Sequence, residues 1–170
     1  LYEYLSSNHK TAFINSDDAI QNEKTTNINR ITFGFNNPEN FVNITKIETN
    51  PMVKIEFEDT TIQSHLIGLY NANNINAAIT IGKHFGVSNE KIKFGLENYI
   101  PNNNRSQLLE KNSNKIILDA YNANPSSMNA ALTNFFQLEE KNKVAILGDM
   151  FELGIESSEE KKKLIEFCFH

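Results

Sequence analysis

Asp119, Tyr121, Asn122, Asn124 and Ser126 fall within residues 119–126, and together they offer a carboxylate, a phenol, two carboxamides and a hydroxyl. Such a set holds a polar ligand through paired donors and acceptors. Covalent chemistry is not indicated, because Ser126 and Ser127 lack the G-x-S-x-G elbow of a hydrolase. His9, His65, His84 and His170 show no metal-ligand spacing and the lone Cys168 cannot join them, so no zinc site is expected.

These side chains need a strand and a helix to position them. Ile116-Ile117-Leu118 is the short apolar run of a strand covered on both faces, which leaves Asp119 at its carboxyl end. Ligands of open α/β sheets bind there. Downstream, Asn124 suits an N-cap and Pro125 the first helical position, and Met128, Ala131, Leu132 and Phe135 follow at helical spacing. The spacing predicts a strand over 115–119, a helix over 126–139, a strand over 143–148 and a helix from Ser157, opened by a Ser157-x-x-Glu160 capping box. Two apolar strands separated by a helix imply a right-handed parallel crossover and a Rossmann-like sheet.

The first hundred residues are richer in strands. Residues 11–15 read as a strand ending in the Ser16-Asp17-Asp18 turn, and Ile31, Phe33 and Phe35 alternate with less apolar neighbours. Val53, Ile55 and Phe57 alternate with Lys54, Glu56 and Glu58, as in an antiparallel strand with one wet face. A helix is predicted over 74–85 with Ile75, Ala78 and Ile79 on one face. Ser88 is expected to cap a second helix carrying Ile92, Leu96 and Tyr99. Pro101-Asn102-Asn103-Asn104 interrupts both periodicities and is the predicted linker, dividing the chain into 1–102 and 103–170.

Composition bounds the function. A 39% hydrophobic content supports a core, and a net charge of −5 without a Lys/Arg cluster argues against a nucleic-acid surface. No stretch approaches the roughly 18 apolar residues of a membrane span. One cysteine excludes an intramolecular disulfide framework, so a cytoplasmic monomer is expected. Absence of an initiator Met and a helix running into His170 suggest a fragment. Asparagine fills 26 of the 170 positions, so no single Asn is diagnostic. Glu156, Glu159 and Glu160 with Lys161 to Lys163 read as a solvated helix face.

The segments Gly68-Leu69-Tyr70-Asn71-Ala72-Asn73-Asn74, Asn104-Arg105-Ser106-Gln107, Asp119 to Met128, and Leu147-Gly148-Asp149-Met150-Phe151-Glu152-Leu153-Gly154 resemble, in order and spacing, the Mur ligases of peptidoglycan synthesis. The resemblance is to the branch that adds D-alanyl-D-alanine to UDP-N-acetylmuramoyl-tripeptide. It implies an α/β chain holding the later half of the central ATPase domain, over 1–102, and the start of the Rossmann-like C-terminal domain, over 103–170. It also implies ATP and Mg²⁺ as cofactors and an acyl-phosphate intermediate, with most magnesium ligands outside this chain.

By the same resemblance, Asn71 and Asn74 lie near the adenine, while Arg105 and Asp119 reach the nucleotide from the C-terminal domain. A guanidinium fork suits phosphate oxygens, and a carboxylate accepts from ribose hydroxyls. Tyr121, Asn122, Asn124, Ser126, Asp149 and Glu152 are implied to shape the nucleotide and dipeptide sites, although Asn124 and Ser126 also suit plain helix capping. No catalytic residue is expected in this stretch. The phosphate loop GxxxxGK[ST] has no match; Gly82-Lys83-His84 reads as a helix end. The alternatives are a sibling amide ligase of the folylpolyglutamate synthase kind, or a non-catalytic nucleotide- or partner-binding module.

Overall fold

The computed structural model describes all residues except 152, 153, 155, 156, 169 and 170. The chain is a mixed α/β fold that divides into two compact units, Leu1–His65 with Leu69–Tyr99, and Leu66–Gly68 with Ile100–His170.

Up to residue 99 the order is α1 (Tyr2–Ser7), β1 (Thr11–Asn15), α2 (Ala19–Lys24), β2 (Asn29–Phe35), β3 (Val42–Thr49), β4 (Met52–Phe57), β5 (Thr60–Ile67, its last two residues assigned to the second unit), α3 (Tyr70–His84) and α4 (Asn89–Glu97). The strands form one sheet in the order β1-β2-β3-β4-β5. β1 and β2 run parallel, joined through α2, whose Asp18 cap accepts from the backbone of Ile20 and Gln21. β2 and β3 are also parallel, but their link is too short for a helical crossover, and only Phe33–Phe35 and Val42–Ile44 pair. β3 and β4 are antiparallel.

Strand periodicity is obeyed most clearly in β4, where Val53, Ile55 and Phe57 are all 0% exposed and Lys54 and Glu56 reach the surface side. By register Phe33, Val42 and Ile44 share the buried face of Val53, Ile55 and Phe57, whereas Ala12 and Ile14 are buried on the opposite face of the sheet; Ile62 is buried as well. α3 starts a turn earlier than predicted, and its buried face is Asn71, Ala72, Ile75, Asn76, Ile79 and Thr80. Ala78 is exposed, so the helix is rotated from the expected Ile75-Ala78-Ile79 face. The rotation is tolerated because the three polar residues on that face each make a hydrogen bond: Asn71 Oδ1 accepts from Asn74 Nδ2, Asn76 Nδ2 donates to the Gly34 carbonyl at 3.2 Å, and Thr80 Oγ1 donates to the Asn76 carbonyl at 2.7 Å, while Asn76 Oδ1 is buried without a partner. Ser88 occupies the α4 N-cap position without a side-chain cap bond, and Tyr99 lies past the end of α4, leaving Ile92 as its buried residue.

Gly34 sits where no side chain fits. A Cβ there would lie 2.3 Å from Ser16 Oγ and 2.9 Å from Asp17 Oδ1. Asp17 accepts from the Phe35 N–H at 2.9 Å, and Asn40 Nδ2 donates to Ser16 Oγ at 2.8 Å, tying the turn after β1 to the end of β2.

The second unit contains β6 (Gln107–Lys111), β7 (Asn114–Leu118), α5 (Pro125–Gln137) and α6 (Ser157–Cys168). α5 begins as predicted: Asn124 is the N-cap, it accepts from Ser127 N–H in a reciprocal capping box, and Pro125 follows. Leu132, Met150 and Leu164 form the buried cluster, with Ala123, Met128 and Cys168 against it. Lys143 Nζ donates to the Phe136 and Leu138 carbonyls, covering acceptors at the α5 carboxyl end. The α6 capping box lies outside the described side chains.

The predicted parallel crossover is not formed. β7 pairs with β6 in an antiparallel hairpin, and residues 143–148 adopt no ladder, with Val144 80% and Ile146 93% exposed. Ile116 is exposed as well, so β7 is not covered on both faces. An apolar run specifies extended chain, but strand pairing is a long-range choice, and the neighbouring β6 was not foreseen.

Candidate functional site

Residues 104–107 and 118–121 are brought together by hairpin register. Gln107 pairs with Leu118, so the next residues outward, Ser106 and Asp119, face each other at the strand ends. The Ser106 N–H donates to Asp119 Oδ1 at 3.3 Å, and the Ala120 N–H donates to the Asn104 carbonyl at 2.7 Å. Asn104 and Ser106 both have left-handed backbone, with φ of 59° and 50°. Serine enters that region reluctantly, so local strain is concentrated at this corner. Between them Arg105 lays its guanidinium carbon 3.7 Å from the centre of the Tyr121 ring.

The adjoining loop is committed largely to helix capping. Asn124 Oδ1 accepts from Ser127 N–H at 2.9 Å and from Ser126 Oγ at 2.8 Å, and Asn122 Oδ1 accepts from the Ala123 N–H at 2.9 Å. Asn122, Asn124 and Ser126 are exposed, as are Arg105, Asp119 and Tyr121. Asp149 accepts from its neighbour Met150 N–H and pairs with Lys161 Nζ at 2.5 Å. The Lys161 ammonium, followed by that N–H, holds the Asp149 carboxyl below its ordinary range. Lys161 is therefore more than a solvated face residue. Glu152 lies outside the described residues.

In the first unit Asn71 and Asn74 are in the opening turn of α3, whose N-cap position is Leu69. Asn71 is thus not the helix cap. It is buried, and its Oδ1 accepts from Asn74 Nδ2 at 3.0 Å, so the two carboxamides are held as a pair with Asn74 on the exposed side. The Gly82-Lys83-His84 string ends α3. Lys83 pairs with Glu58, whose carboxyl is lowered by that contact and by Asn89, and a Cβ at Gly82 would meet Ile92 side-chain carbons at 3.1 Å. That glycine allows close helix packing.

Sequence reasoning singled out Arg105 and Asp119 but not Ser106, whose backbone amide joins them, nor the Lys161 partner of Asp149. The available signal for Ser106 was a small polar residue after Arg105 at the start of an unrecognised strand.

Comparison with known proteins matches two families in succession along this chain. The family described as Mur ligase middle domain matches residues 1–82, and that described as Mur ligase, glutamate ligase domain, matches residues 104–168. The UDP-N-acetylmuramoyl-tripeptide–D-alanyl-D-alanine ligase of Bacillus subtilis is 31% identical over 144 residues, covering 84% of this chain and 32% of that protein. The crystal structure of MurF from Acinetobacter baumannii superposes with a TM-score of 0.78 at 27% identity, covering 92% of this chain and 35% of that one. The Thermotoga maritima MurF ligase in complex with ADP shares the fold, with a TM-score of 0.76, 22% identity and coverage of 93% and 38%. The chain thus spans about a third of the length of these relatives. With both of its parts matched in order, this chain belongs to the Mur ligase family.

Proposed function

We propose that this chain is the part of an ATP-dependent ligase that joins D-alanyl-D-alanine to UDP-N-acetylmuramoyl-tripeptide. Residues 1–102 belong to the later part of its central ATPase domain and residues 103–170 to the start of its C-terminal domain. The observation that carries the reading is the hairpin end at which Arg105 and Asp119 are gathered by register, in a chain whose full-length relatives bear that activity in their names.

In the proposed reaction a tripeptide carboxylate oxygen takes the γ-phosphoryl group of ATP, releasing ADP. The dipeptide amine then attacks the acyl carbon, and the tetrahedral intermediate expels phosphate as the amine loses a proton. Such steps depend on positioning and on charge neutralisation. Arg105 supplies a fork for phosphate oxygens, Asp119 accepts from ribose hydroxyls, and the Asn71–Asn74 pair meets the adenine edge with its donors and acceptors. Asn122, Asn124, Ser126 and Asp149 help shape the nucleotide and dipeptide sites, and Tyr121 contributes there through its contact with Arg105; Glu152, expected in the same role, lies outside the described residues. Among the described residues no group of three His, Cys, Asp or Glu side chains would hold a metal.

The test is phosphate release by the complete protein supplied with ATP, Mg²⁺ and UDP-N-acetylmuramoyl-tripeptide. Release that requires D-alanyl-D-alanine supports the reading. Release indifferent to the dipeptide, or none, rejects it.

A further inference from the structure

We propose that Tyr121 is a positioning residue for Arg105: its ring holds the guanidinium flat so that the N–H fork meets an anionic ligand, taken as a nucleotide phosphate, already oriented. The inference rests on the ligase reading above and adds to it a role for Tyr121 that acts through Arg105. A guanidinium carbon 3.7 Å from the ring centre lies over the ring face at stacking distance, where an edge-on approach would drive N–H hydrogens into the ring. In a face-to-face stack the donors lie in a plane parallel to the ring and point off its rim. They remain open to bidentate capture of phosphate oxygens.

Two backbone anchors keep this arrangement from being a chance surface contact. The residue before Arg105 accepts from Ala120 N–H, and the residue after it donates to Asp119, both through left-handed backbone. Arg105 is thereby held level with residues 119–120, and its side chain reaches the next residue along, Tyr121. Arginine otherwise loses considerable rotamer entropy when it binds, and a preformed stack reduces that loss.

The experiment is a double-mutant cycle in the complete protein, reading equilibrium affinity for a fluorescent ATP analogue, ATP kinetics and thermal unfolding. Tyr121→Phe keeps the aromatic face and is expected to stay within about twofold of wild type. Tyr121→Leu is expected to weaken nucleotide affinity and raise KM for ATP by about five- to thirtyfold, the span from a partly exposed to a desolvated cation–π contact. Its unfolding midpoint should not move, because Tyr121 is 63% exposed. In an Arg105→Ala background, Tyr121→Leu should add nothing. Equal losses in Tyr121→Phe and Tyr121→Leu would show a direct hydroxyl contact and overturn the proposal, as would an undiminished Tyr121→Leu effect without Arg105. Wild type that binds nucleotide yet releases phosphate without need of the dipeptide rejects the ligase reading alone, and the affinity cycle still decides Tyr121. Wild type that binds no nucleotide overturns both.

Discussion

Asp119 separates binding from folding more cleanly than the other polar residues of its loop. It is exposed at the end of β7, and its bond to the Ser106 N–H is one contact that a substitution must respect. Asp119→Asn keeps an acceptor there but removes the charge, so urea unfolding should be unchanged while KM for ATP rises by roughly tenfold, the effect of about 1.4 kcal/mol. Asp119→Ala also removes the acceptor that the Ser106 N–H uses here and should lower stability by roughly 1–3 kcal/mol. Unchanged kinetics in both variants would remove Asp119 from the nucleotide site. Asp149 offers a pH test. Its folded carboxyl is depressed by Lys161, so that pairing stabilises the fold above the ordinary value of 3.8 and fades as pH falls through the lowered one. Carboxyl NMR should show Asp149 titrating below 3.8 in wild type and moving upward in Lys161→Met.

At the scale of elements, α5 and the β1–β2 corner carry the sharpest expectations. Asn124→Ala removes both the acceptor for Ser127 N–H and the partner of Ser126, and should lower stability by about 0.5–2 kcal/mol in a denaturant titration. If the loop serves only as a cap, activity should follow stability and nothing more. Gly34→Ala must displace the Ser16 hydroxyl and the Asp17 carboxylate, and the loss should be about 1–3 kcal/mol, the usual range for overpacking. A neutral result would mean that the corner moves freely. Both elements were readable in outline: Asn124-Pro125 is a local cap signal, and the Ser16-Asp17-Asp18 turn is where it was expected. The close approach to Gly34 joins residues distant in sequence and left no local trace.

At the scale of the whole molecule, the two units differ in how they bury apolar surface. Ile55 and Ile79 are 0% exposed in the first unit, and Ile55→Ala should lower stability by about 2–5 kcal/mol. Val144 and Ile146, in the second, are nearly bare, so Val144→Thr with Ile146→Thr should change the stability of this chain by less than about 0.5 kcal/mol. A larger drop would show that residues 143–148 are covered in solution. No helix among the described residues is long and apolar enough to cross a membrane.

The sequence by itself determined what local chemistry encodes. Alternation marked β4 and its buried Val53, Ile55 and Phe57, the Asn-Pro pair marked the start of α5, and ordered motifs identified the family and two domains of origin. Each of those signals is complete within a few residues, or within a fixed series of them. Tertiary structure decided the rest: which face of α3 is buried, that β7 pairs with β6 and not with 143–148, that Asn71 is a buried partner of Asn74, and that Arg105 lies on Tyr121. These depend on contacts between residues apart in sequence, where hydrogen-bond partners and steric room are chosen by the assembled fold and not by local propensity.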